Sequence, residues 1–289
     1  MIEEDIANRS ELILVEDIHV YFPFKPYPDQ VKYIESVIHA LNNRQNALLE
    51  SPTGTGKTLC LLVSTIAWLA HQRNKDKLRG AYSDGTTKEP IKIIYTSRTH
   101  SQLKQVVHEL KSTCYKPVAS VVGSRDQTCI NDELRSIKGR GKNIKCVELV
   151  QKNKCQYFNK QDRTNVTNLR NRIVEKKEIL DIEELTQKGS DCNVCPYFTM
   201  KMLNDQADVL IMPYNYLTDK NIRDNYASKL KNSILIFDEA HNIEKAAEEG
   251  SSVNISSGDL LAGLKELDQI QKSIRESIAE VHMQNERKL

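Results

Sequence analysis

The run Ser51-Pro52-Thr53-Gly54-Thr55-Gly56-Lys57-Thr58 limits this chain more than any other feature, because it follows the apolar stretch 47–50 and opens an apolar helical segment. Strand, glycine loop and helix in that order make a cradle for phosphate. Gly54 and Gly56 let the backbone curl with its N–H groups inward, and the helix N-terminus adds a favourable dipole. Lys57 has the reach and charge to meet β and γ phosphates, and Thr58 has the hydroxyl to ligate Mg²⁺.

The rest of the chain supplies the frame such a loop requires. Apolar β-type runs at 47–50, 91–95, 118–122, 208–212 and 233–237 alternate with helical patterns at about 57–72, 101–112 and 240–249, the signature of βαβ units around a parallel sheet. The polar run from Asn74 to Pro90, with Gly80 and Gly85, reads as a surface loop. The last of the apolar runs ends in Asp238-Glu239-Ala240-His241. A carboxylate at a strand end beside a phosphate loop is placed to hold Mg²⁺, which gives Asp238 that role. Glu239 is placed to orient and deprotonate an attacking water, and His241 to couple hydrolysis to movement at the edge of the site. The chain is therefore expected to bind and hydrolyse ATP.

At 289 residues and 39% hydrophobic content the chain can build one large domain or two modest ones. No apolar stretch is long enough to span a membrane, and the N-terminus lacks the basic and apolar regions of a secretory signal, so the expected compartment is intracellular. Net charge is only +2, yet residues 136–188 carry 13 Lys and Arg against 7 Asp and Glu, while 241–289 carry 6 against 9. Seven cysteines without a signal sequence argue for a metal site, a reactive thiol or small buried side chains rather than a disulfide framework. Five of them, Cys129, Cys146, Cys155, Cys192 and Cys195, fall in one charged, helical stretch where the strand pattern stops. Cys60 and Cys114 read as buried. After Gly258 the residues Leu260, Leu264, Leu267, Ile270, Ile274, Ile278 and Val281 recur at steps of three and four, the stripe of a long amphipathic helix or a pair.

Taken together, the phosphate loop and Asp238-Glu239-Ala240-His241 resemble superfamily 2 helicases. The loop has Ser51 where the strict pattern has glycine, which suits a helicase loop better than a kinase or GTPase loop. Residues 22–30 resemble the segment that frames adenine in the iron-sulfur branch, which implies Tyr27 and Gln30 as nucleotide contacts alongside Ser51, Pro52, Thr53, Gly54, Thr55, Gly56, Lys57 and Thr58. Residues 96–103 resemble the motif that holds the DNA backbone, implying Arg98, Thr99, His100 and Gln102 as contacts; a polar turn with a helix cap at Thr99 or Ser101 is the plain alternative.

Cys129, Cys146, Cys155 and Cys195, separated by 16, 8 and 39 residues, resemble the four-cysteine cluster of the xeroderma pigmentosum group D type helicases. A structural zinc site is the rival, but only Cys192 and Cys195 form the close pair zinc ribbons use, and Cys192 reads as a spare. Within the family, the order and spacing of the segments from Glu50 to Lys245 are most similar to the telomere-elongation-regulator branch.

The resemblance implies an α/β, RecA-like P-loop motor domain with a parallel sheet, interrupted by a mainly helical iron-sulfur insertion. Residues 1–128 would be the first part of the motor, 129–195 the 4Fe-4S domain, 196–257 the remainder of the motor present here, and 258–289 the start of a helical arch. It further implies ATP, Mg²⁺ and a 4Fe-4S cluster as cofactors, single-stranded and forked DNA with repair or replication proteins as partners, and no membrane. The implied activity is 5′ to 3′ DNA unwinding in repair, recombination control and telomere maintenance in the nucleus. The 48 residues after His241 are too few for a second motor domain, so the chain alone is expected not to unwind DNA. Two other readings stand beside this one, a zinc-containing ATPase and a DNA- or partner-binding module without unwinding activity.

Overall fold

The computed structural model describes residues 10–52, 54–78, 90–159, 161, 163–253 and 255–286. Thr53 of the phosphate loop, residues 79–89 of the expected surface loop and the side chain of Val281 lie outside the described residues. The chain forms two units, residues 1–247 and residues 248–289.

The first unit is built on a parallel sheet in the order β4-β5-β3-β6, with β3 at Lys92–Ser97, β4 at Ala119–Val121, β5 at Val209–Pro213 and β6 at Ser233–Phe237. Side chains alternate faces along a strand, so both faces of a buried parallel strand must be apolar. Ile93, Tyr95, Val209, Ile211 and Ile236 accordingly enter one core, while Ile94, Leu210 and Met212 enter another with Val122, Ala207 and Leu217.

The first core is covered by α1 (Pro28–Asn42), α2 (Lys57–Leu78) and α3 (His100–Ser112). Helix α2 is buried at every position from Leu59 to Leu69 except Leu61, the pattern of a helix enclosed on all sides. It runs to Leu78, past the expected end near residue 72, so the first five residues of the expected loop are helical.

Two elements differ from the sequence expectation. Residues 47–50 form no strand, and Leu48 is 92% exposed, which leaves the outer edge of β6 unpaired among the described residues. Ala, Leu and Glu are weak strand formers, and this run has no β-branched or aromatic residue to favour pairing. Conversely, β1 (Glu11–Val15) and β2 (Ile18–Phe22) form a hairpin that the strand pattern above does not include. It packs Val15, Ile18, Val20 and Phe22 into the first core, and its tip is tied down by charge, with Lys75 Nζ 2.7 Å from Asp17 Oδ2.

Between β4 and β5 the chain leaves the sheet, as expected, for helices α4 (Arg125–Thr128), α5 (Gly139–Gln151), α6 (Thr164–Glu175), α7 (Ile182–Asp191) and α8 (Pro196–Gln206). They enclose their own core of Leu134, Leu149, Val166, Leu169, Leu185 and Met200, with Phe158 and Phe198 stacked at 3.7 Å. Leu203 joins this core, so α8 packs with the insertion as well as leading back to the sheet. In the second unit, Ser257–Glu286 is a single helix, α10, that follows α9 (Ile243–Ser251). Its stripe from Leu260 to Ile278 is exposed.

Helix α7 meets the start of α8 at Gly189, where an added Cβ would lie 2.5 Å from Pro196 Cγ and 2.7 Å from the Val194 carbonyl oxygen. A backbone oxygen and a proline ring cannot both give way. Gly189→Ala should lower stability by roughly 1–3 kcal/mol through overpacking, measured by guanidinium unfolding; a change below about 0.5 kcal/mol would contradict this account of the α7–α8 corner.

Candidate nucleotide site and cysteine pocket

The phosphate loop crosses the top of the first core, where α2 begins. Gly54 (φ 81°) and Gly56 (φ 77°) adopt left-handed backbone that other residues resist. At Gly56 an added Cβ would also lie 2.9 Å from Gln30 Nε2, so a side chain there would push the glutamine amide aside. Gln30 is buried and spans two segments: its Oε1 accepts from Tyr27 N–H at 2.9 Å and its Nε2 donates to the Thr55 carbonyl at 3.0 Å. The glutamine thus holds the loop, while the neighbouring Tyr27 is 70% exposed. Ser51 and Thr55 hydroxyls meet at 2.6 Å, and Thr55 also donates to the Pro52 carbonyl at 2.9 Å. Lys57 folds its Nζ onto the carbonyls of Ser51 (2.9 Å) and Pro52 (3.2 Å).

Parallel pairing of β6 with β3 carries Asp238 to this loop. Asp238 N–H donates to the Thr96 carbonyl at 2.9 Å, extending the ladder by one bond. Its Oδ2 accepts from Tyr95 O–H at 3.0 Å, and its carbonyl accepts from Tyr214 O–H. Burial raises the Asp238 carboxyl above its ordinary value; Tyr95 and the nearby Lys57 charge pull the other way. The Thr58 side chain lies near the Tyr95 phenol. Lys57, Thr58 and Asp238 are therefore brought together, although they lie at opposite ends of the first unit in sequence.

Glu239 takes a left-handed backbone (φ 56°), which turns the chain sharply off β6 and costs about 1–2 kcal/mol for a residue with a side chain. A short polar chain follows. His241 Nδ1 lies 3.4 Å from Glu239 Oε2, His241 Nε2 lies 2.8 Å from Asn242 Nδ2, and Arg98 Nη1 donates to Asn242 Oδ1 at 3.1 Å. A proton on His241 Nδ1 satisfies both ring contacts. Arg98 thereby connects the start of α3 to the acidic end of β6.

The other residues expected near DNA are differently occupied. Thr99 caps α3 by accepting from Gln102 N–H, and the Gln102 side chain accepts from Thr99 N–H (3.0 Å) and Ser97 O–H (2.9 Å). That is a capping box, the plain alternative for this motif. His100 is exposed at the first turn of the helix.

Cys129, Cys146, Cys155 and Cys195 line one small apolar pocket in the insertion, with Leu134, Leu149 and Phe198. Cys192 is absent from that lining, and its Sγ lies 3.9 Å from Arg172 Nη1. Burial pushes the Cys195 thiol up to about 12 and raises Cys129 as well. Among the described residues no three His, Cys, Asp or Glu side chains converge closely enough to hold a single metal ion. Four thiols lining one pocket match the all-cysteine donor set that iron-sulfur clusters use. Arg125 Nε donates to Cys146 Sγ at 3.3 Å, and its guanidinium lies 4.1 Å from the Tyr197 ring centre. Cys60 and Cys114 are buried.

Tyr95, Tyr214, Asn242 and Arg125 had no assigned role in the sequence reading. For the tyrosines the available signal was polar tips within otherwise apolar strand-end runs, since a buried phenol needs a partner.

The sequence model of the DEAD_2 family matches residues 95–260. The human regulator of telomere elongation helicase 1 is 39% identical over 287 residues, covering 89% of this chain and 23% of that protein. The Caenorhabditis elegans homolog is also 39% identical, over 91% of this chain and 28% of its own length. The chain thus spans about a quarter of the length of these relatives. The solved structure of an XPD helicase superposes with a TM-score of 0.52 at 21% identity, over 78% of this chain and 34% of that one, a likeness of fold. With its model matched over more than half of the residues, the chain belongs to the DEAD_2 family.

Proposed function

We propose that these residues form the ATP-binding half of a DNA helicase motor with an iron-sulfur domain inserted between β4 and β5. The observation that carries the reading is the meeting of Lys57 and Thr58, at the start of α2, with Asp238, at the end of β6. The four pocket cysteines support the iron-sulfur part, and the helicase names of the relatives support the motor part. On this reading residues 1–128 and 196–257 build the motor domain, 129–195 the cluster domain and 258–289 the first helix of an arch.

In this site the loop N–H groups and Lys57 bind the β and γ phosphates, so Lys57 exchanges the Ser51 and Pro52 carbonyls for phosphate oxygens. Thr58 and Asp238 would hold Mg²⁺, which neutralises charge on the phosphates when bound. Glu239 takes the proton of the attacking water, and His241 and Asn242 link it to Arg98, which contacts the DNA backbone. A 4Fe-4S cube on Cys129, Cys146, Cys155 and Cys195 would covalently tie together the loops and helices of the insertion. Lys138, Arg140 and Lys154 add positive charge to the insertion for single-stranded or forked DNA, so affinity should fall with salt and depend little on sequence. The relatives' names support a role in regulating telomere elongation, from which nuclear work follows, and a part in genome repair is what the resemblance to the iron-sulfur helicases implies.

Lys57→Ala should abolish binding of a fluorescent ATP analogue, whereas Glu239→Gln should keep binding and remove turnover; hydrolysis by Glu239→Gln at the unmutated rate would overturn the assignment of the base. Protein purified without oxygen should hold about four irons per chain. Serine at Cys129, Cys146, Cys155 or Cys195 should lower that content sharply and Cys192→Ser should not; stoichiometric zinc without iron would contradict the cluster. The 289-residue chain should bind forked DNA and leave it paired in the presence of ATP, because a helicase motor stabilises the transferring phosphate with an arginine from a second RecA-like domain. Strand displacement lost in Lys57→Ala would contradict that expectation.

A further inference from the structure

We propose that Tyr95 is a positioning residue for the metal of the nucleotide site, holding the Asp238 carboxylate through its phenol. The inference rests on the ATP-site reading above and adds a residue to it. Tyr95 sits on β3, the strand that pairs with β6, and is fully buried. Its hydroxyl donates to Asp238 Oδ2 at 3.0 Å, with the Thr58 side chain nearby. The carboxylate proposed to hold Mg²⁺ is therefore tied to an oxygen supplied from an inner strand of the sheet.

Asp238 needs such a hold because the chain leaves strand geometry immediately after it. Glu239 is left-handed, so β6 can fix the aspartate from one side only. Three bonds complete the restraint: the Asp238 N–H to Thr96, its carbonyl from Tyr214, and its Oδ2 from Tyr95. The first two set the backbone, and the Tyr95 bond holds the carboxylate from the side of β3, with the Glu239 backbone also beside it. The phenol takes one hydrogen-bonding position on the carboxylate and leaves the others for a metal that Asp238 would hold. Hydrogen-bond partners of this kind orient metal-binding carboxylates, and their loss typically weakens metal affinity 10- to 100-fold.

A tyrosine that only filled the core would affect stability and leave metal binding alone. The test is the affinity of the 289-residue chain for a fluorescent, non-hydrolysable ATP analogue, measured with MgCl₂ and again with EDTA. Tyr95→Phe removes one oxygen and keeps the ring and its packing, and thermal unfolding checks that it folds. In the unmutated chain Mg²⁺ should tighten binding. In Tyr95→Phe that tightening should shrink by roughly tenfold or more, with the affinity in EDTA unchanged, and Asp238→Asn should behave alike. An equal Mg²⁺ effect in Tyr95→Phe and unmutated chain, with nucleotide bound in both, would overturn the role of Tyr95 alone. No nucleotide binding by the unmutated chain in either condition would overturn the ATP site and this proposal with it.

Discussion

The parallel pairing of β6 with β3 is the interaction on which the rest depends. Hydrogen bonds from Lys92↔Ser233 to Thr96↔Phe237 bring a segment from beyond the insertion alongside one from before it. The ladder carries Asp238 one step past the last pair, to the Thr96 carbonyl and within reach of the Tyr95 phenol. Parallel pairing is non-local, so the insertion must fold without disturbing it. The insertion meets that condition by having its own core, built from Leu134, Leu149, Val166, Leu169, Leu185 and Met200.

Strain and restraint occur together at the end of that strand. The left-handed Glu239 turns its carboxylate away from the strand and into contact with His241, and Asn242 steadies the turn by donating to the Glu239 carbonyl from both its N–H (3.0 Å) and its Nδ2 (3.2 Å). The same Asn242 accepts from Arg98. Arg98, Asn242 and His241 thus form a continuous polar chain from the start of α3 to the Glu239 carboxylate.

Where a segment's fate was decided locally, the sequence was readable. The runs at 91–95, 208–212 and 233–237 are rich in β-branched residues or flanked by breakers, and they became β3, β5 and β6. The glycine loop was legible because phosphate binding demands positive φ at Gly54 and Gly56. The run 47–50 is apolar but lacks strand propensity, and the hairpin at Glu11–Phe22 carries no turn signal because Glu16 makes its left-handed turn without glycine or asparagine. The four pocket cysteines were legible through resemblance, since gaps of 16, 8 and 39 residues do not by themselves say which thiols converge. Tyr95 and Tyr214 were not legible as site residues: each lies in an apolar run, and only the three-dimensional approach of Asp238 gives their hydroxyls a partner.

The central claim is that the loop at 51–58 and the end of β6 form one nucleotide site. Hydrogen–deuterium exchange on the 289-residue chain, with and without a non-hydrolysable ATP analogue and Mg²⁺, tests it most directly. The account predicts that nucleotide slows exchange together in peptides covering residues 54–60 and 236–242, and that Lys57→Ala removes both effects. Protection of the loop with no change at 236–242, or no protection of either segment, would contradict it.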